Sequence, residues 1–206
     1  MKTIVKTTAA IFAIMMTACS SDDSNNAVVE EPLSERIEYE YTTERLIPNG
    51  NNLIDIPINV NEDKVVINPS KVFIEIMLDH KDAQDLSYGY LMPNDGTEFR
   101  TIVSKLGGTN NYNANNVLSF NPEHTQVINP NPSFHFPNGI IPSGNYKEGT
   151  SNPGFQVETP LFNSMLNKNI NGVWRFFFID DNLGHEGKVI KIKLIFDEGA
   201  LEVANN

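Results

Sequence analysis

NGVWRFFFIDDNLGHEGKVIKIKLIF, residues 171–196, holds two runs of alternating side chains split by a polar turn. In the first run Trp174, Phe176 and Phe178 alternate with Arg175 and Phe177. In the second, Ile190, Ile192, Leu194 and Phe196 alternate with Lys191, Lys193 and Ile195. A period of two in aromatic and β-branched residues predicts strands with one face in a core. The segment between them supplies Asp, Asn and two glycines, residues suited to turn dihedrals. Lys188, Lys191 and Lys193 read as a solvated strand face or as edge protection. Phe177 and Ile179 share the side of Arg175, so both faces of the first strand are apolar: the strand is either central in the sandwich or covered by the long crossover at 107–154, and cover is expected rather than an exposed binding patch.

Working outward, the same pattern recurs. Ile37, Tyr39 and Tyr41 alternate with glutamates in a candidate edge strand over 37–46. After the Asn49-Gly50 turn, Ile54, Ile56, Ile58 and Val60 alternate with Asp55, Pro57 and Asn59. Pro57 has no N–H to donate, which places that run on a sheet edge. Strands are expected at 64–67, 72–78, 86–92 and 99–103, with an acidic loop at 79–85 and a Pro-Asn-Asp-Gly turn at 93–96. Residues 107–154 are rich in Asn, Pro and Gly, the composition of a loop-rich crossover, and 160–166 suggests one helical turn. No amphipathic helix of useful length is present. The pattern predicts an all-β chain folded as an antiparallel β-sandwich.

The chain has 206 residues, of which 40% are hydrophobic, enough for one domain with a core. Its net charge is −11, a surface that repels nucleic acid and anionic lipid head groups and tolerates divalent cations. The single cysteine excludes an internal disulfide. Residues 1–18 have a basic start at Lys2 and Lys6, an apolar run and a small residue before Cys19, the layout of a secretory signal. Ending in Met16-Thr17-Ala18-Cys19, the segment resembles a bacterial lipoprotein signal, which implies lipidation of Cys19 and a membrane anchor there. The alternative is an ordinary cleaved signal with a chance cysteine. An acidic tether follows, without periodicity; it resembles the surface-export signal of some Gram-negative lipoproteins, or is a plain spacer. The expected organisation is a signal peptide at 1–18, a lipidated cysteine and tether at 19–48, a sandwich at 49–199 and a tail at 200–206.

Two ordered motifs carry a wider resemblance. The first is His80-Lys81-Asp82-Ala83-Gln84-Asp85-Leu86, followed by Leu91-Met92-Pro93-Asn94-Asp95-Gly96-Thr97. The second is Gly172-Val173-Trp174-Arg175-Phe176, then Asp180, Gly184, Gly187 and a strand ending at Phe196. Together they resemble the P domain, or P/Homo B domain, of subtilisin-like proprotein convertases and secreted bacterial proteases. Gln84 and Val173 depart from the family pattern, and no protease domain precedes the module here. The resemblance implies a jelly-roll, galactose-binding-like sandwich in which His80, Asp85, Gly96, Thr97, Gly172, Trp174, Asp180 and Gly187 are structural positions.

Hydrolase chemistry needs a nucleophile, a base within reach and an orienting group. The chain has four histidines, His80, His124, His135 and His185, but no Gly-x-Ser-x-Gly elbow. His124 and His135 lack the short paired spacing of a zinc site. Calcium is the candidate cofactor, since it takes six to eight oxygens from loops. Asp79, Asp82 and Asp85 in one loop, and Asp180, Asp181 and Glu186 with Asn182 in another, are its candidate ligands. The expectation is therefore a non-catalytic envelope lipoprotein, anchored at the outer membrane and facing outward, that binds a protein or glycan or serves a separate protease. A hydrolase with an unrecognised site and a purely structural lipoprotein are the alternatives.

Overall fold

In the computed structural model the described residues are 35–50, 52–83, 86–92, 94, 100–104, 113–126, 139–147 and 160–204. Within them the chain forms twelve strands and no α-helix. They are β1 (Ile37–Tyr41), β2 (Arg45–Ile47), β3 (Asn52–Val60), β4 (Lys64–Val66), β5 (Val72–His80) and β6 (Leu86–Met92), then β7 (Arg100–Ser104), β8 (Val117–Phe120), β9 (Gly144–Tyr146), β10 (Gly172–Asp180), β11 (Gly187–Phe196) and β12 (Leu201–Val203). The expected helical turn is a short 3₁₀ segment, Asn163–Met165.

The larger sheet runs β1-β11-β5-β8-β9, with β2 on the same edge of β11 as β1; the smaller runs β3-β10-β6-β7. The pairings are antiparallel apart from β8 with β9, which is parallel. Alternation explains the packing. Trp174, Phe176 and Phe178 of β10 and Ile192, Leu194 and Phe196 of β11 are all fully buried, and they belong to one contiguous core. The sheets meet where Trp174 sets its edge against Phe196, ring centroids 6.1 Å apart and planes at 70°, a favoured aromatic geometry. Trp174 Nε1 donates to the Ile170 carbonyl at 2.9 Å, so burial leaves the indole N–H satisfied. This is an all-β sandwich.

Pro57 sits on β3, an edge of the smaller sheet, in register with Arg175. Two boundaries and one strand phase differ from expectation. Residues 37–47 belong to the sandwich as two strands on β11, with Ile37, Tyr39 and Ile47 buried. The segment expected as a tail pairs instead with β4, Leu201 opposite Val66, and Ala200 and Leu201 are buried. Three residues are too short a run to register as a period, so only the tertiary partner reveals that strand. A bulge between Val189 and Lys191 makes Ile190 the extra residue and leaves it half-buried, not inward. A one-residue insertion reverses the parity on its two sides.

β10 is central in its sheet, between β3 and β6. Phe177 is only 6% exposed, though its phase points away from the contiguous core. Residues 107–112, 127–138 and 148–154 of the crossover, expected to cover this face, lie outside the described residues. Truncating Trp174 to Ala should cost about 3–5 kcal/mol through lost transfer energy and the cavity left behind. Chemical denaturation of the variant measures this; a loss below about 1 kcal/mol would contradict the packing.

Candidate functional site

One end of the sandwich gathers three connections between the sheets. The chain passes there from β2 to β3, from β5 to β6 and from β10 to β11, each time changing sheet. In the larger sheet, Ile47, Gly187 and His80 stand in one register row, and His80 bridges onward to Ala114. In the smaller sheet, Asn52, Asp180 and Leu86 form the matching row. His80 and Asp180 are the last residues of β5 and β10, and their side chains meet between the rows.

Both are buried. His80 Nε2 lies 3.2 Å from Asp180 Oδ2, and His80 Nδ1 lies 2.7 Å from the Lys81 carbonyl. Both ring nitrogens thus face oxygen acceptors. The arrangement is satisfied when both carry hydrogen, or when the carboxyl holds the shared proton. Asp180 Oδ1 accepts from the Asn182 N–H at 3.0 Å. With its amide nitrogen turned inward, Asn49 donates to Asp180 Oδ2 at 3.2 Å and to the His185 carbonyl at 3.1 Å. Gly50 N donates to the Asn182 carbonyl at 3.2 Å. A second pair crosses the same gap, His185 Nδ1 to Asp82 Oδ2 at 3.6 Å. Asp82 adopts a φ of 61°, a left-handed conformation to which Asp is better suited than most residues.

Gly187 explains itself by close approach. A Cβ there would fall inside the His80 imidazole. Gly172 has a φ of 134°, and a Cβ on it would stand 3.0 Å from that of Asn94. The Asn94 amide donates to the carbonyls of Asn169 at 2.7 Å and Asn171 at 2.5 Å, fastening the chain after β6 to the start of β10.

The two acidic loops therefore meet through histidines, His80 with Asp180 and His185 with Asp82. Asp79 lies 3.8 Å from Lys188, and Asp181 and Glu186 are exposed. Both oxygens of Asp180 are engaged, and among the described residues no group of three or more His, Cys, Asp or Glu side chains is placed to hold a metal. Asp85, Gly96, Thr97, His135 and Cys19 lie outside the described residues. His124 sits against Phe73, with Nδ1 3.1 Å from the Tyr146 carbonyl. The partners that the period-two reading passed over are Asn49 and Gly50. The Asn49-Gly50 dipeptide signalled a turn, but not that the turn would lock onto a loop far along the chain.

Elsewhere the lysines of β11 are matched across strands. Lys193 meets Glu38 at 3.1 Å, Lys191 meets Glu40 at 3.1 Å, and Lys188 meets Glu44 at 3.2 Å. Burial pushes the Glu38 carboxyl up, but hydrogen bonds from Arg36 and Lys193 outweigh it and hold it below its usual value. Burial, with the charge of Glu62 beside it, pushes the Tyr39 hydroxyl up to about 12.

No family model matches the chain, no curated protein matches it, and no solved structure matches it. What the geometry defines by itself is an all-β sandwich closed at one end by a buried His–Asp contact.

Two outcomes follow from that contact. His80→Ala, which strands a buried carboxylate, should cost roughly 3–5 kcal/mol, and Gly187→Ala about 1–3 kcal/mol by overpacking. Because the methyl and the ring compete for one space, the double variant should lose clearly less than the sum; strict additivity in denaturation midpoints would contradict the overlap. Melting curves in chelator, calcium and magnesium should coincide. A calcium bound only to the folded chain at a hundredfold excess over Kd would add about 2.7 kcal/mol, readily seen as a shift specific to calcium.

Proposed function

We propose that this chain is a lipid-anchored, non-catalytic module of P-domain-like fold on the cell envelope, anchored at the outer membrane and facing outward. Its work is to bind a protein or glycan, or to accompany a separate protease. The observation that supports this reading is the convergence of His80, Asp180 and Gly187. All three are signature positions of the resemblance, and they come from strands far apart in sequence to one buried contact. The same geometry argues for a structural role. Every polar atom of the His80 and Asp180 side chains is engaged within the protein, so the pair that most resembles catalytic equipment has none left to hold a substrate. A general base must reach the proton it abstracts, and this one is sealed under the loops.

Among the described residues an open groove of about 290 Å³ is lined by Asn68, Pro69, Ser70, Pro122, Glu123, Asn163 and Leu166.

The anchor is tested by fractionation. With Cys19 acylated, the chain should sediment with membranes, and Cys19→Ala should appear in the soluble fraction, since stable anchoring needs more than one acyl chain. Equal membrane retention of the variant would refute the anchor. The binding role is tested by pull-down from the native envelope with the folded chain, using unfolded chain as the control.

A further inference from the structure

The geometry points to a protein-docking surface at the closed end of the sandwich, anchored by Leu183 and built to enter an apolar pocket rimmed by lysine or arginine. The inference rests on the binding role proposed above and names its site and partner chemistry. Leu183 is 85% exposed, the most exposed of the large hydrophobic side chains at the described surface. A lone exposed leucine is ordinary, but this one is neither alone nor loosely held. Its Cδ2 lies 3.4 Å from where a Cβ on Gly50 would stand, so it rests on the turn between β2 and β3. Leu46 and Leu53, exposed by 55% and 53%, flank that same turn on the two strands it joins.

The loop bearing Leu183 is fastened on both sides of it. Asn182 binds Asp180 Oδ1 through its N–H and Gly50 through its carbonyl. The His185 carbonyl accepts from Asn49 and its ring faces Asp82. A leucine held outward by a hydrogen-bonded base has already lost the freedom that binding would cost. That is the character of an interface anchor, which fills a pocket while its surroundings exclude water.

Charge identifies the occupant. Asp181 and Glu186 are exposed beside Leu183, and no lysine or arginine lies between Asp180 and Gly187. Lys188 is matched by Glu44 at 3.2 Å and Asp79 at 3.8 Å, and Arg45 in β2 and Lys81 just after β5 are the exposed cations on the neighbouring segments. An acidic rim around an aliphatic anchor repels an anionic bilayer and another copy of this acidic chain. Among its described side chains there is no aromatic platform for a sugar, and its net negative charge attracts a basic protein surface.

The test places a benzophenone amino acid at 183 in the full chain, and at Val203, 70% exposed on β12, as the control. Irradiation in the producing cells should yield one protein adduct from 183 and none from 203. That protein, purified, should bind the wild-type chain and Val203→Asp alike, and Leu183→Asp at least tenfold more weakly. Asp181→Asn with Glu186→Gln should slow association and flatten its salt dependence. Melting of each variant should match wild type, since the altered side chains are exposed. Equal adducts at both positions, an adduct to a second copy, binding to phosphatidylglycerol vesicles, or a partner indifferent to Leu183→Asp would overturn the inference. A partner bound equally by wild type and Leu183→Asp leaves the binding role intact and removes only this site. No adduct, together with no pull-down partner, removes both.

Discussion

The contact between His80 and Asp180 is the constraint on which the closed end of the sandwich depends. Each residue ends a central strand of a different sheet, and each begins a connection that carries the chain across to the other. A buried carboxylate is costly unless its oxygens are matched. Here the match requires the imidazole, the Asn182 amide and the Asn49 side chain in fixed positions. Satisfying one carboxylate therefore sets the paths of three connections at once. Gly187 is part of the same constraint, because the His80 ring occupies the volume that any side chain there would need.

The two sheets meet their outer surroundings differently. The outer face of β11 is laced to β1 and β2 by cross-strand ion pairs, most of them partly exposed. Such pairs contribute little each, so the edge is held mainly by Ile37, Tyr39 and Ile47 beneath it, while the charges set register and keep the face wet. β10 instead carries Phe177 buried on its second face. Its partner strands fit that environment: β3 opposes Phe177 with Asp55, which reaches sideways to Arg175.

Most of the strands were legible because burial of one face imposes a period of two on residue type. Trp174, Phe176 and Phe178 reported their own orientation, as did the β3 isoleucines and Pro57 at the edge. Ile190 did not, because a bulge is invisible to a pattern whose neighbours are apolar on both phases. The short β12 escaped for lack of length. The candidate site was legible only as two acidic loops carrying histidines. That those loops meet, and that each aspartate finds the histidine of the other, depends on which strands become neighbours.

Local sequence determined what each stretch of this chain would be: strand, turn, buried face or solvated face. Those properties arise from a residue and its near neighbours, where side-chain alternation and turn dihedrals act. Tertiary structure alone decided the partners. Pairing β5 with β11 and β3 with β10 brings His80 to Asp180 across 100 residues of chain, and makes Asp180 a buried acceptor that ties two loops together. A carboxylate's role is set by what shares its desolvated space, and that space exists only after the sheets have closed.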